Sequence, residues 1–358
     1  MPGVGEAEGT FDVEPRQLLT PAGDLLGEST CPMSDVQLRE ALEWMLLSRA
    51  YDERATRLQR QGRFGVFSKA LGQEAAIVGS ALALDPSVDW IVPQYREFVA
   101  YLHHGYPLVN ATAAFLGKLS AGAIPIGVNM LPIQAGIAAQ LPHAVGLAWG
   151  LRLQDKEGVV IAYCGDGATS EGDFHESVNL AGVTHAPVIF FVQNNQWALS
   201  VPRSRQTAAR SLACRGDGYG IPGVSVDGND IMAVYEVTSE AVSRARTKSG
   251  PTLIEAVTYR RGFHNTSDNP AAYEDPEENV RAEQFDPMQR LVAYLQRCGL
   301  VSADELNNMS QNAVAKVDSA VSAALALPTT PPEYLFENIY ASLPPRVERQ
   351  RRSAFPDE

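Results

Sequence analysis

Two short polar clusters in this chain have residue types and spacing that could do chemistry. Gly165-Asp166-Gly167 is followed, after the 26 residues 168–193, by the pair Asn194-Asn195. A carboxylate from Asp166 and an amide oxygen from Asn195 suit a hard cation such as Mg²⁺, which prefers oxygen ligands and keeps its other positions for phosphate and water. Gly165 and Gly167 let backbone amides come close to phosphate oxygens, and the helix that follows points its positive end at them. The pattern predicts a site for a metal-bound diphosphate. Other glycine motifs fit less well. A P-loop requires Gly-Lys-Ser/Thr after four spacers, and no lysine lies between Gly165 and Asn195. A dinucleotide fingerprint on Gly165, Gly167 and Ser170 needs an acid at the end of the next strand, but that strand ends Gln193-Asn194-Asn195.

Regular elements must hold these clusters in place. Val159, Val160 and Ile161 lead through Ala162, Tyr163 and Cys164 into Gly165, an apolar run that reads as a buried parallel strand. Phe174, Val178 and Ala181 share one helix face, and 188–192 reads as a second strand. That order puts Asp166 and Asn195 at the carboxyl ends of two parallel strands, where open α/β sheets bind ligands. Upstream, Ser34 and Gln37 form a capping box before Leu38, Leu42 and Met45, predicting a helix to about Arg60 that ends at Gly62. Further helices are expected at 73–84, 94–102, 108–119 and 137–150, with a loop over 120–136. A strand at 224–226, a helix at 231–248 and a strand at 253–258 continue the alternation. Glu236, Glu240 and Arg244 recur every fourth position on that last helix, a solvated face. The fold class is α/β, a doubly wound parallel sheet with helical additions at both ends.

Composition narrows the function classes. The chain has 358 residues, 45% of them hydrophobic, enough for one large domain, taken here as 34–343. A net charge of −13 excludes sequence-independent nucleic-acid binding, because no basic surplus exists to displace phosphate counterions. Cys31, Cys164, Cys214 and Cys298 are widely spaced, which points to reduced thiols and a cytoplasmic setting. The adjacent His103 and His104 read as exposed. No apolar run reaches the length of a membrane span, so no membrane partner is expected. Residues 1–33, acidic and rich in Gly and Pro, read as a poorly ordered arm, and 344–358, with four arginines, as a solvated tail.

The stretch 165–195 resembles the thiamine-diphosphate signature. Similarity extends through 62–106, 134–146, 218–235 and 251–273, most of the chain between 35 and 340, and is greatest to the α subunit of the decarboxylase component of 2-oxo acid dehydrogenase complexes, of pyruvate and branched-chain kinds. That resemblance implies thiamine diphosphate and Mg²⁺ as cofactors, with Asp166, Asn195 and the carbonyl of Trp197 as metal ligands. It implies that Gln94, Tyr95 and Arg96 reach the diphosphate, together with Gly165, Asp166, Gly167 and Ala168. Backbone groups of Ala135 and Ile137 would meet the aminopyrimidine, with Ile137 as an apolar prop. In the loop 259–273, His264 would approach the cofactor and the lipoyl group and Arg260 would help anchor the loop, and both are expected as catalytic residues.

The resemblance also implies partners. The glutamate that activates the aminopyrimidine belongs to a second domain in this superfamily, so a β subunit should supply it in an assembly of two α and two β. The acyl group from a small 2-oxo acid would pass to a lipoyl domain of the acyltransferase core. Three departures stand out. Ala139 lacks the hydroxyl that holds a monovalent cation in some relatives, Asn265 replaces a modified serine of animal relatives, and 117–130 lacks a Ser-Met-His ending. Two alternatives share the architecture, an acetoin-cleaving α subunit and a non-catalytic paralogue that binds cofactor or partner. Val226 to Asp230 and Thr266 to Asp268 lean toward the branched-chain kind.

Overall fold

The computed structural model describes residues 14–337 and 339–355. Its strands in chain order are β1 (Trp90–Val92), β2 (Val160–Gly165), β3 (Val188–Asn194), β4 (Trp197–Ala198), β5 (Val201–Pro202), β6 (Gly223–Asp227) and β7 (Thr252–Val257). Five of them form one parallel sheet in the order β1-β2-β3-β7-β6, while β4 and β5 make a small antiparallel pair. The helices are α1 (Asp35–Arg60), α2 (Glu74–Leu82), α3 (Phe98–His103), α4 (Leu108–Phe115), α5 (Gln140–Leu153), α6 (Gly172–Thr184), α7 (Arg203–Gln206), α8 (Ile231–Arg246), α9 (Pro276–Glu283), α10 (Pro287–Arg297), α11 (Ala303–Ala326), α12 (Tyr334–Glu337) and α13 (Pro345–Ala354).

Side chains alternate across the sheet with the two-residue period of a strand. Ile161, Tyr163, Ile189, Phe191 and Ile254 join a core shared with α1, α2 and α8. Val160, Ala162, Val188, Phe190 and Leu253 join a second core with Leu141 and Val145 of α5 and Phe174, Val178 and Ala181 of α6. Both faces are covered, which is why β2 and β3 are apolar along their length. The doubly wound sheet is as expected. So is the Ser34–Gln37 capping box at α1, with Gly62 at φ +68° just beyond its end.

Three expectations need correction. First, β1 was not foreseen, and residues 94–97 are irregular, so the helix expected over 94–102 begins only at Phe98. A three-residue strand is too short for alternation to register. Second, His104 is buried, not exposed, and its Nε2 lies 2.8 Å from the Asp89 carbonyl oxygen. The Asp89 carboxylate in turn takes both the Val159 amide and Arg246, clamping the start of β1 to β2 and α8.

Third, residues 14–33 are not a poorly ordered arm; residues 1–13 lie outside the described residues. The Arg16 amide donates to Ser225 and the Arg16 carbonyl accepts from Asp227, a parallel bridge along β6. The amides of Leu18 and Leu19 both donate to Asp230 Oδ2, at 2.7 and 2.6 Å, while Asp230 Oδ1 caps α8. Burial of Leu18, Leu19 and Met33 supplies the apolar term that holds the segment down. Arg16 also pairs with Glu240 and Glu236, so that helix face carries a bound cation. At the other end α13 has no buried residue. Among the described residues no helix is long and apolar enough to cross a membrane.

Candidate active site

Four neighbouring strands deliver the site from their carboxyl ends. Gln94, Tyr95 and Arg96 follow β1, Asp166 and Gly167 follow β2, Asn195 follows β3, and the loop with Arg260 and His264 follows β7. Gln94 ties two of these exits together, its Oε1 accepting the Gly165 amide at 3.2 Å. A cavity of about 290 Å³ results, lined by Gln94, Tyr95, Arg96, Ile137, Gly165, Asp166, Gly167, Ala168, Asn195, Trp197 and His264. Of the residues expected at the site, Ala135 and Arg260 are outside that lining. A larger cavity of about 750 Å³ lies by Trp44, Tyr106 and Met309 and shares no lining residue with this one.

Asp166 is 1% exposed, and its Oδ2 is buried with no hydrogen-bond partner among the described residues. Burial pushes its pKa up to about 6, against the pull of the backbone amides of Asp166 and Asn195. An unpartnered buried carboxylate oxygen is a position that a cation would stabilise. Asn195 donates from Nδ2 to Gln73 Oε1 at 3.0 Å, and its Oδ1 accepts the Trp197 amide at 3.2 Å. The left-handed Gln196, φ +71°, turns the chain between them. Among the described residues no group of three or more His, Cys, Asp or Glu could hold a metal. A cation here must therefore draw on amide and carbonyl oxygens and on an anionic ligand, a set that suits Mg²⁺.

Arg96 supplies the opposite charge. It is 5% exposed, and its guanidinium donates to the carbonyls of Lys69 and His264, with no carboxylate among the described residues in ion-pairing distance. Burial depresses its pKa. A buried guanidinium with only neutral acceptors is poised for an anion. His264 Nδ1 sits 3.4 Å from Arg96 Nη2, a contact in which Nδ1 accepts and Nε2 keeps its hydrogen. Burial, then Arg96 and Arg260, hold its pKa down at about 4, so the ring is neutral at pH 7.

Arg260 works from behind the loop. It is 1% exposed and donates to Leu199 O, Tyr273 Oη and Glu274 Oε1, each within 2.8 Å. Asp268 completes the tie by accepting from the His264 amide and the Tyr273 hydroxyl. Arg260 is thus held behind the loop, touching the cavity wall at Leu199 without itself lining the cavity. The two glycines differ as well. A Cβ on Gly167 would lie 2.8 Å from the Ala198 Cβ, so this glycine admits β4. A Cβ on Gly165 would meet nothing within 4 Å and would enter the cavity.

Sequence reasoning missed Gln73, Glu97 and Gln193, which also line the cavity. Glu97 accepts from the Gln94 amide and from Gln193 Nε2, which fixes the turn that carries Arg96. In sequence these residues look like ordinary helix-start and strand-end polar positions.

Residues 42–333 match the family model described as dehydrogenase E1 component. The chain is 42% identical over 344 residues to 3-methyl-2-oxobutanoate dehydrogenase subunit alpha of Mycobacterium tuberculosis, covering 96% of this chain and 94% of that one. It is 38% identical over 349 residues to the pyruvate dehydrogenase E1 component subunit alpha of Staphylococcus epidermidis, 97% and 94% covered. For the Staphylococcus aureus counterpart the values are 39% over 336 residues, 93% and 90%.

Proposed function

We propose, given that this chain belongs to the dehydrogenase E1 component family, that it is the α subunit of a thiamine-diphosphate-dependent 2-oxo acid dehydrogenase. The observation that carries the reading is the pairing, in one cavity, of an unpartnered buried Asp166 oxygen with a buried Arg96 that lacks a carboxylate. One group wants a cation and the other an anion, and a magnesium diphosphate satisfies both. In this reading Asp166, Asn195 and the Trp197 carbonyl hold Mg²⁺. Gln94, Tyr95, Arg96 and the backbone of Gly167 and Ala168 hold the diphosphate, Gly165, whose amide Gln94 already engages, leaves room for it, and Ala135 and Ile137 support the ring. When bound, thiamine diphosphate supplies the nucleophilic carbon and the electron sink for decarboxylation. The chain's own contribution is to orient the cofactor and, through the Nε2 hydrogen of neutral His264, to donate a hydrogen bond at the acyl-transfer end.

The remaining half belongs to a partner. Glu97 is engaged by Gln94 and Gln193, so a β subunit is read as the source of the glutamate that activates the aminopyrimidine. Two α and two β chains form the working unit, a lipoyl domain receives the acyl group, and four unpaired cysteines accord with a cytoplasmic setting. Branched-chain 2-oxo acids stand ahead of pyruvate and acetoin as substrate, supported by the Mycobacterium tuberculosis relative.

The test is co-expression with a β subunit and a panel of 2-oxo acids assayed with an artificial electron acceptor. Turnover that needs thiamine diphosphate, Mg²⁺ and the β chain is expected. Robust turnover by the lone chain would overturn the shared site, and an assembled pair that neither binds thiamine diphosphate nor turns over would overturn the function.

A further inference from the structure

Gln73, the residue that caps α2 at its start, is fully buried and lines the cavity. Its backbone is already engaged, the amide donating to Ala70 and the carbonyl accepting from Ile77. Its side chain ends a relay whose direction is fixed by chemistry. A backbone N–H can only donate, so the Trp197 amide fixes which end of Asn195 is its oxygen. The Asn195 amide nitrogen then faces Gln73 and must find an oxygen there, at 3.0 Å. Gln73 is thereby left with Nε2 as its free end, and that NH₂ is buried with no partner among the described residues. A buried donor without an acceptor is a standing cost that a bound ligand would remove.

We propose that Gln73 is a further residue of this site with two tasks. It locks the Asn195 side chain in the orientation that keeps Oδ1 available to a cation, and it donates its Nε2 hydrogen to an anionic oxygen of the bound ligand. The inference rests on the magnesium-diphosphate reading above. The first task makes it a positioning residue for the metal, and the second makes it a ligand contact. Gln73→Met keeps the size of the side chain and loses both tasks. Gln73→Glu keeps an acceptor for Asn195 and loses the donor.

The experiment is calorimetric titration of the cofactor-free α–β assembly, with Mg²⁺ at saturating thiamine diphosphate and with thiamine diphosphate at saturating Mg²⁺. Gln73→Met should weaken both at least about tenfold, the loss expected for a hydrogen bond to a charged group. Gln73→Glu should keep Mg²⁺ affinity within about threefold of wild type while weakening thiamine diphosphate at least about tenfold. Melting of the cofactor-free assemblies reports packing separately; if the Met variant does not assemble, the Glu variant decides alone. Wild-type affinity for both probes overturns the proposal, and equal losses of both in the Glu variant overturn the division of tasks. Asp166→Ala separates the two levels of the argument. If it too binds normally, the magnesium-diphosphate reading has failed, whereas if it loses binding while the Gln73 variants keep it, only the role of Gln73 falls.

Discussion

Replacing Asp166 by Asn should make the cofactor-free protein more stable at neutral pH, relative to acid, while removing the carboxylate proposed to hold the metal. In the folded chain burial raises the Asp166 pKa from 3.8 to about 6. Each pKa unit of difference between folded and unfolded states is worth about 1.4 kcal/mol, so ionised Asp166 costs the fold on the order of 3 kcal/mol. The sign follows from the direction of the shift. Below pH 3.8 the group is protonated in both states and exacts nothing; as pH rises through about 6 that advantage is lost; above about 7 the full cost is present. The amide of the Asp166→Asn variant would carry no such pH dependence. Its extra amide hydrogen lacks an acceptor, which costs about 1–3 kcal/mol at every pH and leaves the slope untouched. Thermal melting of the wild-type and Asp166→Asn assemblies without cofactor, from pH 5 to pH 8, reads the difference directly. The variant should gain on wild type by about 1.5 kcal/mol across that range, the half of the total that falls above pH 5. Added Mg²⁺ and thiamine diphosphate should then raise the melting temperature of wild type alone. A stability difference that stays flat with pH, or moves the other way, would refute the reasoning.

Alanine at the two glycines should separate ligand space from packing. Gly165→Ala should leave melting near wild type and abolish cofactor binding, since its Cβ meets only the cavity, whereas Gly167→Ala should lower the melting temperature because of Ala198 at 2.8 Å. His264→Ala should slow acylation of a lipoyl domain by about 10²–10³-fold, the loss of one positioned hydrogen-bond donor, while changing thiamine diphosphate affinity less, measured by single-turnover acylation and calorimetry. Arg96→Lys should weaken thiamine diphosphate at saturating Mg²⁺ at least about tenfold, because a point charge cannot reproduce the guanidinium fork that reaches Lys69, His264 and an anion together.

The parts of the fold with long, uninterrupted patterns could be read from sequence. The β-branched runs of β2 and β3, the Phe174–Val178–Ala181 face and the Ser34 capping box each express one local rule without conflict. The placement of Asp166 and Asn195 in one cavity was legible because both sit where a strand ends. What stayed hidden depends on contacts between distant segments. Leu18 and Leu19 show no periodicity, and their anchor, Asp230, is 211 residues away from Leu19. Glu255 sits fully buried in β7 because Asn194, Ser211 and the amides of Leu212 and Ala213 all donate to it, and none of these adjoins it in sequence. Arg260 resembled a site residue, but only the closed loop shows it facing Glu274 and Tyr273 instead of the cavity. Gln73 carried no local signal at all.

The bridges at the two margins of the sheet bear on how the protein can assemble. Along β6, the Arg16 segment takes up the outward hydrogen-bonding groups of Ser225 and Asp227. Along β1, Ile91 exchanges hydrogen bonds with Asn129 and Leu131, which flank Met130. Each margin of the five-stranded sheet is thereby engaged, at one bridge, by irregular chain from the same molecule, which blunts it against pairing with a stranger's strand. The proposed α–β assembly would accordingly join through side chains, at the helical flanks or across the mouth where β1, β2, β3 and β7 end. Such contacts admit a fixed stoichiometry, and the mouth is where a second subunit would find the cofactor half-held.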